Sequence, residues 1–64
     1  MIVNGKNMAS VSPMTVEDLI LNTGRRPDRV AVELNGSIVP RKEYSRTFLK
    51  EEDAVEIVGF VGGG

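Results

Sequence analysis

The stretch Val30-Ala31-Val32-Glu33-Leu34-Asn35-Gly36-Ser37-Ile38-Val39-Pro40-Arg41 decides the fold. Its first five residues alternate with period two, which puts Val30, Val32 and Leu34 on one buried face of a strand. Asn35-Gly36 supplies the two residues that tolerate positive φ in a tight hairpin turn. Ser37-Ile38-Val39 then reads as the returning strand. Pro40 stops it, because proline has no N–H to give to a ladder.

The N-terminal flank repeats the device. Apolar Met1-Ile2-Val3 runs into Asn4-Gly5, a second hairpin signal, and residues 6–11 read as a weakly patterned strand ended by Ser12 and Pro13. Thr15 is an N-cap, and Glu17 and Asp18 in the first turn favour the positive end of the helix dipole. Val16, Leu19 and Ile20 share one face at helical spacing, so a helix is expected to about Asn22. Gly24 is placed to cap it, and Pro27 prevents its continuation.

On the C-terminal side, residues 41–46 are polar and predict a short turn of helix, with residues 47–49 as a brief edge strand. Lys50-Glu51-Glu52-Asp53 reads as a solvated charged turn rather than a metal site, since consecutive carboxylates in a turn converge poorly on one ion. Residues 54–61 are the last and most apolar strand, with Val55 and Ile57 inward. The order is β-β-α-β-β-(β)-β, an α+β domain with one helix to cover one sheet face.

Composition limits what such a domain can do. The 64 residues contain no cysteine, histidine or tryptophan, with 41% hydrophobic and 27% charged content. That leaves no thiolate nucleophile, no disulfide, no Cys-ligated metal and no histidine base. A self-contained enzyme is not expected. Eight Lys+Arg against nine Asp+Glu give a net charge of −1, so nothing points to nucleic acid. No apolar run approaches the roughly 18 residues of a membrane span, and the first residues lack a secretory pattern. The cytoplasm is the default expectation.

The chain ends Phe60-Val61-Gly62-Gly63-Gly64. Glycine-rich ends are often merely frayed, but this run follows an apolar strand directly, with no polar linker between. Three extended residues reach about 10 Å, and without side chains they can enter a channel that any Cβ would obstruct. The expected partition is a domain over 1–61 and a flexible tail over 62–64. If Val55 and Ile57 face inward, alternation sends Glu56, Val58 and Phe60 outward. Val58, Phe60 and Val61 are then a partner-binding patch at the root of the tail. Alternatively, a bulge at Gly59 flips the parity and tucks Phe60 into the core. Arg25, Arg26 and Arg29 cluster after the helix and either meet an acidic or phosphate partner or solvate the loop and complement the helix C-terminus. Tyr44 reads as a cover for the core. Arg41 has no role legible in the sequence.

The Val-x-Val-x-x-Asn…Val-Pro-Arg string at residues 30–41, with Gly63-Gly64 at the end of a chain of this length, resembles the ThiS family of sulfur carriers. Asn4-Gly5, Thr15-Val16 before Leu19-Ile20, and Glu56-Ile57-Val58 sit where that family has similar residues, so the resemblance covers nearly the whole chain. The departures are a short first strand, Tyr44 where the aromatic is often Trp, and three terminal glycines rather than two. The resemblance implies a ubiquitin-like β-grasp fold, an α+β domain with a mixed sheet of four to five strands and one helix packed across one face. It also implies a function: the Gly64 carboxylate is adenylated by a ThiF-like enzyme using ATP and Mg²⁺, and a persulfide from a cysteine desulfurase converts it to a thiocarboxylate. A ThiG-like thiazole synthase then takes the sulfur for thiamin. On that view Gly62 and Gly63 thread the tail and the protein binds no cofactor. It is a monomer when free, acting on neither nucleic acid nor membrane. Two other readings stand beside it: a MoaD-like carrier for molybdopterin or tungstopterin synthesis, and a β-grasp modifier or interaction module without sulfur transfer.

Overall fold

The computed structural model describes residues 1–9 and 13–59. Five strands form one sheet in the order β2-β1-β5-β3-β4. They are β1 (Ile2–Val3), β2 (Lys6–Asn7), β3 (Val30–Leu34), β4 (Ser37–Ile38) and β5 (Ala54–Gly59), with the helix α1 (Val16–Asn22) between β2 and β3. The two Asn-Gly hairpins pair antiparallel, as expected, and β5 enters between them, parallel to β1 and antiparallel to β3.

Local chemistry explains each end of α1. Thr15 Oγ1 accepts from the Asp18 N–H at 3.1 Å, and Asp18 Oδ2 accepts from the Thr15 N–H at 3.1 Å. This reciprocal capping box satisfies two donors that a helix start leaves open. The N–H groups of Val16 and Glu17 donate instead to the carbonyls of Thr47 and Tyr44. At the other end Gly24 adopts φ +82°, which a side chain resists. Gly24 N–H then bonds Leu21 O at 3.0 Å and Arg25 N–H bonds Ile20 O at 3.2 Å, the paired bonds of a Schellman ending.

The helix lays Val16, Leu19 and Ile20 on Val30, Val32, Val55 and Ile57, all buried, with Met1, Val3, Val39, Tyr44 and Leu49 around them. Each large aliphatic side chain so buried contributes about 1.5–3 kcal/mol, in a chain with no disulfide to supplement its core. Tyr44 closes the core as expected and donates its hydroxyl to Val30 O at 3.2 Å.

Several expectations need correction. β2 spans Lys6–Asn7, and the pairing runs one residue further: the Met8 N–H donates to Met1 O at 2.8 Å and the Met1 amine donates to Met8 O at 3.1 Å; residues 10 and 11 of the expected strand lie outside the described residues. Residues 47–49 are not an edge strand of the sheet. They flank a single bridge, Phe48 to Thr15, because they are used to brace the helix start. Leu34 is only half-buried, packed at the margin of the core. The turn before β5 is not simply solvated: Asp53 is 7% exposed and accepts from the Lys50 N–H at 2.7 Å and from Asn35 Nδ2 at 3.0 Å. The expected helical turn after Pro40 is present as a 3₁₀ turn over Arg41–Glu43.

Candidate functional site

With α1 on one face, no element of the described residues covers the other face of the sheet. Alternation along β5 turns Ala54, Glu56 and Val58 outward, and along β3 it turns Ala31 and Glu33 the same way. The register then fixes neighbours across strands: Val58 lies opposite Ala31, Glu56 opposite Glu33, Glu33 opposite Ile38, and Ile2 opposite Ala54. Ile2, Ile38 and Val58 are 45%, 67% and 58% exposed. The result is an apolar surface around two facing carboxylates, on the strand that leads into residues 60–64. Like charges directly opposite one another on a sheet oppose folding, so this pair adds nothing to stability.

The register from Glu33 and Glu56 to Val30 and Gly59 is one for one. There is no bulge through Gly59, and the outward direction of Val58 follows from unbroken alternation. Of the residues expected to form the site, Val58 is the one described, exposed on the open face as anticipated. Phe60, Val61, Gly62, Gly63 and Gly64 lie outside the described residues, as does the alternative of Phe60 in the core.

The sequence pattern does not single out Ile2 or Ile38, nor does it place Glu33 opposite Glu56. Period two in β3 was a sufficient signal for Glu33 pointing outward. Its meeting with Glu56 depends on β5 inserting beside β3, which no local pattern encodes.

No group of three or more histidine, cysteine or acidic side chains among the described residues is arranged to hold a metal ion. A shallow depression beside α1, lined by Pro13, Met14, Asp18, Leu21 and Asn22, brings together no catalytic pair. No helix of the described residues is long and apolar enough to cross a membrane.

The mixed five-stranded sheet grasping one helix among the described residues is the ubiquitin-like β-grasp. The chain belongs to the ThiS family, whose model matches residues 1–64. It is 35% identical over 63 residues to the sulfur carrier protein ThiS of Bacillus subtilis, covering 97% of this chain and 96% of that one. The crystal structure of the thiamine biosynthesis protein ThiS from Geobacter metallireducens superposes with a TM-score of 0.78 at 35% identity, covering 98% of this chain and 96% of that one. A thiazole synthase of Magnetococcus marinus is 39% identical over 62 residues, 97% of this chain. This chain spans about a fifth of the length of such thiazole synthases, 19% in that case.

Proposed function

We propose that this chain carries sulfur for thiamin synthesis on the carboxylate of Gly64. The observation that supports this most is the family match over residues 1–64, which takes in the terminal glycines. A carboxylate is a poor electrophile, since its charge repels nucleophiles. An adenylating enzyme of the ThiF type, with ATP and Mg²⁺, would join the Gly64 carboxylate to AMP and release pyrophosphate. A persulfide sulfur originating from a cysteine desulfurase then attacks the acyl carbon and displaces AMP. A thiol attacks the persulfide donor's remaining sulfur in the resulting acyl disulfide, forming a disulfide with that donor and releasing the thiocarboxylate.

Every reactive group except the carboxylate belongs to the partners, in keeping with a chain that has neither cysteine nor histidine. The domain over 1–61 is the handle and residues 62–64 are the part inserted, with Gly62 and Gly63 slender enough for a narrow channel. Val58, with Phe60 and Val61 beyond it, is the patch on which adenylating enzyme and synthase dock in turn. A ThiG-like thiazole synthase is the acceptor; the presence of a stretch like this chain inside proteins named thiazole synthase supports the pairing.

The test has two stages. A ThiF-type enzyme should catalyse ATP–pyrophosphate exchange that depends on this chain. The thiocarboxylate form, supplied to thiazole synthase and to molybdopterin synthase in parallel, should give product with the first. Product with the second alone would assign the chain to the pterin pathway. Exchange that ignores the chain would remove the carrier role.

A further inference from the structure

Gly59, the last described residue of β5, stands where an inward-facing side chain belongs. Val55 and Ile57 point to the core, the register is unbroken to Gly59 opposite Val30, and Gly59 is not among the residues with positive φ. Neither a turn nor a bulge calls for glycine there. Instead, a Cβ at position 59 would overlap Nη1 of Arg25, with the guanidinium carbon at 3.5 Å. The missing side chain is the seat of the guanidinium.

Arg25 is held for this from its own backbone. It directly follows Gly24, and its N–H closes the helix ending on Ile20 O at 3.2 Å, so its side chain starts from a fixed point and reaches the end of β5. Its arginine neighbour behaves differently: Arg26 pairs with Asp28 at 3.2 Å, while Arg46 pairs with Glu43 at 3.1 Å. Among the described residues no carboxylate pairs with Arg25. The expected role of complementing the helix C-terminus falls to the Arg25 backbone, and the charge is carried across to the strand.

We propose that Arg25 is a positioning residue for tail activation, its guanidinium seated on Gly59 to engage a carboxylate at the mouth of the adenylating enzyme's channel. This rests on the carrier function proposed above. Five extended residues separate Gly59 from Gly64 by about 17 Å, so with the tail inserted the guanidinium cannot reach the reacting phosphate. Its contact falls on the rim. A planar fork of donors suits a carboxylate, which it can bind with two parallel hydrogen bonds.

The test is ATP–pyrophosphate exchange by the adenylating enzyme with this chain as the varied substrate. Arg25→Gln should raise KM roughly tenfold, as expected for one lost charge-assisted contact. It should leave kcat unchanged and weaken the salt dependence of kcat/KM. Gly59→Ala pushes away only the far end of a flexible side chain, so it should keep or raise Tm while raising KM towards the Arg25→Gln value. The double variant should be no worse than Arg25→Gln alone, because both remove one seated cation. A parental KM for Arg25→Gln, or losses that multiply in the double variant, would overturn the proposal. Exchange that is absent with the parent chain would overturn the carrier function itself, and this proposal with it.

Discussion

The Asn4 carboxamide is paired twice with the backbone of Ile57, 53 residues away: Nδ2 donates to Ile57 O at 3.2 Å, and Oδ1 accepts from the Ile57 N–H at 2.7 Å. β1 ends at Val3, and the Asn4 N–H makes one more ladder bond to Val55 O at 2.9 Å. Beyond that, a side chain continues what the backbone no longer can. Asn35 does the same at the other end of β5: its N–H donates to Ala54 O at 2.8 Å, and its Oδ1 accepts from the Ala54 N–H at 2.9 Å. Both turn asparagines therefore fix the strand that leads to the tail.

Asn4→Gly keeps the positive φ of 50° accessible but deletes the clamp. It should cost about 1 kcal/mol, as for hydrogen bonds lost from part-buried backbone groups. Asn4→Ala should cost about 1 kcal/mol more, for a left-handed backbone with a Cβ. Chemical denaturation measures both, and parental stability for Asn4→Gly would show that the clamp is idle.

Asp53 makes stability depend on pH. The hydrogen bond from Asn35 outweighs burial and, with the Lys50 N–H and charge and the N-terminal amine, holds its pKa below the ordinary 3.8. A carboxylate whose pKa is lower folded than unfolded stabilises the fold fully above the unfolded value. That contribution fades as pH falls through 3.8 towards the folded value and is gone below it. Asp53→Asn should lose about 1–2 kcal/mol at neutral pH and show a flatter decline in acid. Parallel acid profiles for parent and variant would exclude the assignment.

Much of this fold is legible in the chain because its instructions are local. Asn4-Gly5 and Asn35-Gly36 announce hairpins, Thr15 and Asp18 a helix start, Gly24 its end, and the alternation of Val30, Val32, Val55 and Ile57 a buried sheet face. What escapes is set by β5 arriving between β1 and β3. That includes the partners of the two asparagine amides, the burial of Asp53, the meeting of Glu33 with Glu56 and the seat of Arg25 on Gly59. Each joins residues from distant parts of the chain and leaves no periodic trace. The candidate site divides likewise: Val58 follows from period two, whereas the width of the face around it follows from strand order.

Val58 is 58% exposed, so Val58→Gln, which adds no charge beside Glu33 and Glu56, should leave Tm nearly unchanged. It should weaken binding to the adenylating enzyme about tenfold or more, as for a residue at the centre of a docking patch. Titration calorimetry checks this, and unchanged affinity would move the docking surface elsewhere.

Deleting Gly64 leaves a carboxylate about 3.5 Å short of its proposed position. Such a displacement from a reacting centre should reduce adenylation roughly 100-fold or more. The described core draws on nothing beyond Ile57, so thermal unfolding should match the parent. A large drop in Tm would mean that the terminal residue serves the fold.

The proposed function requires that sulfur travel on Gly64. Incubation with a ThiF-type enzyme, ATP–Mg²⁺, a persulfide donor and a thiol, followed by intact-mass analysis of the C-terminal peptide, tests it directly. The carrier account predicts a mass gain equal to replacing one oxygen by one sulfur, confined to the fragment ending in Gly64. An unchanged peptide, under conditions that convert the Bacillus subtilis carrier, would contradict it.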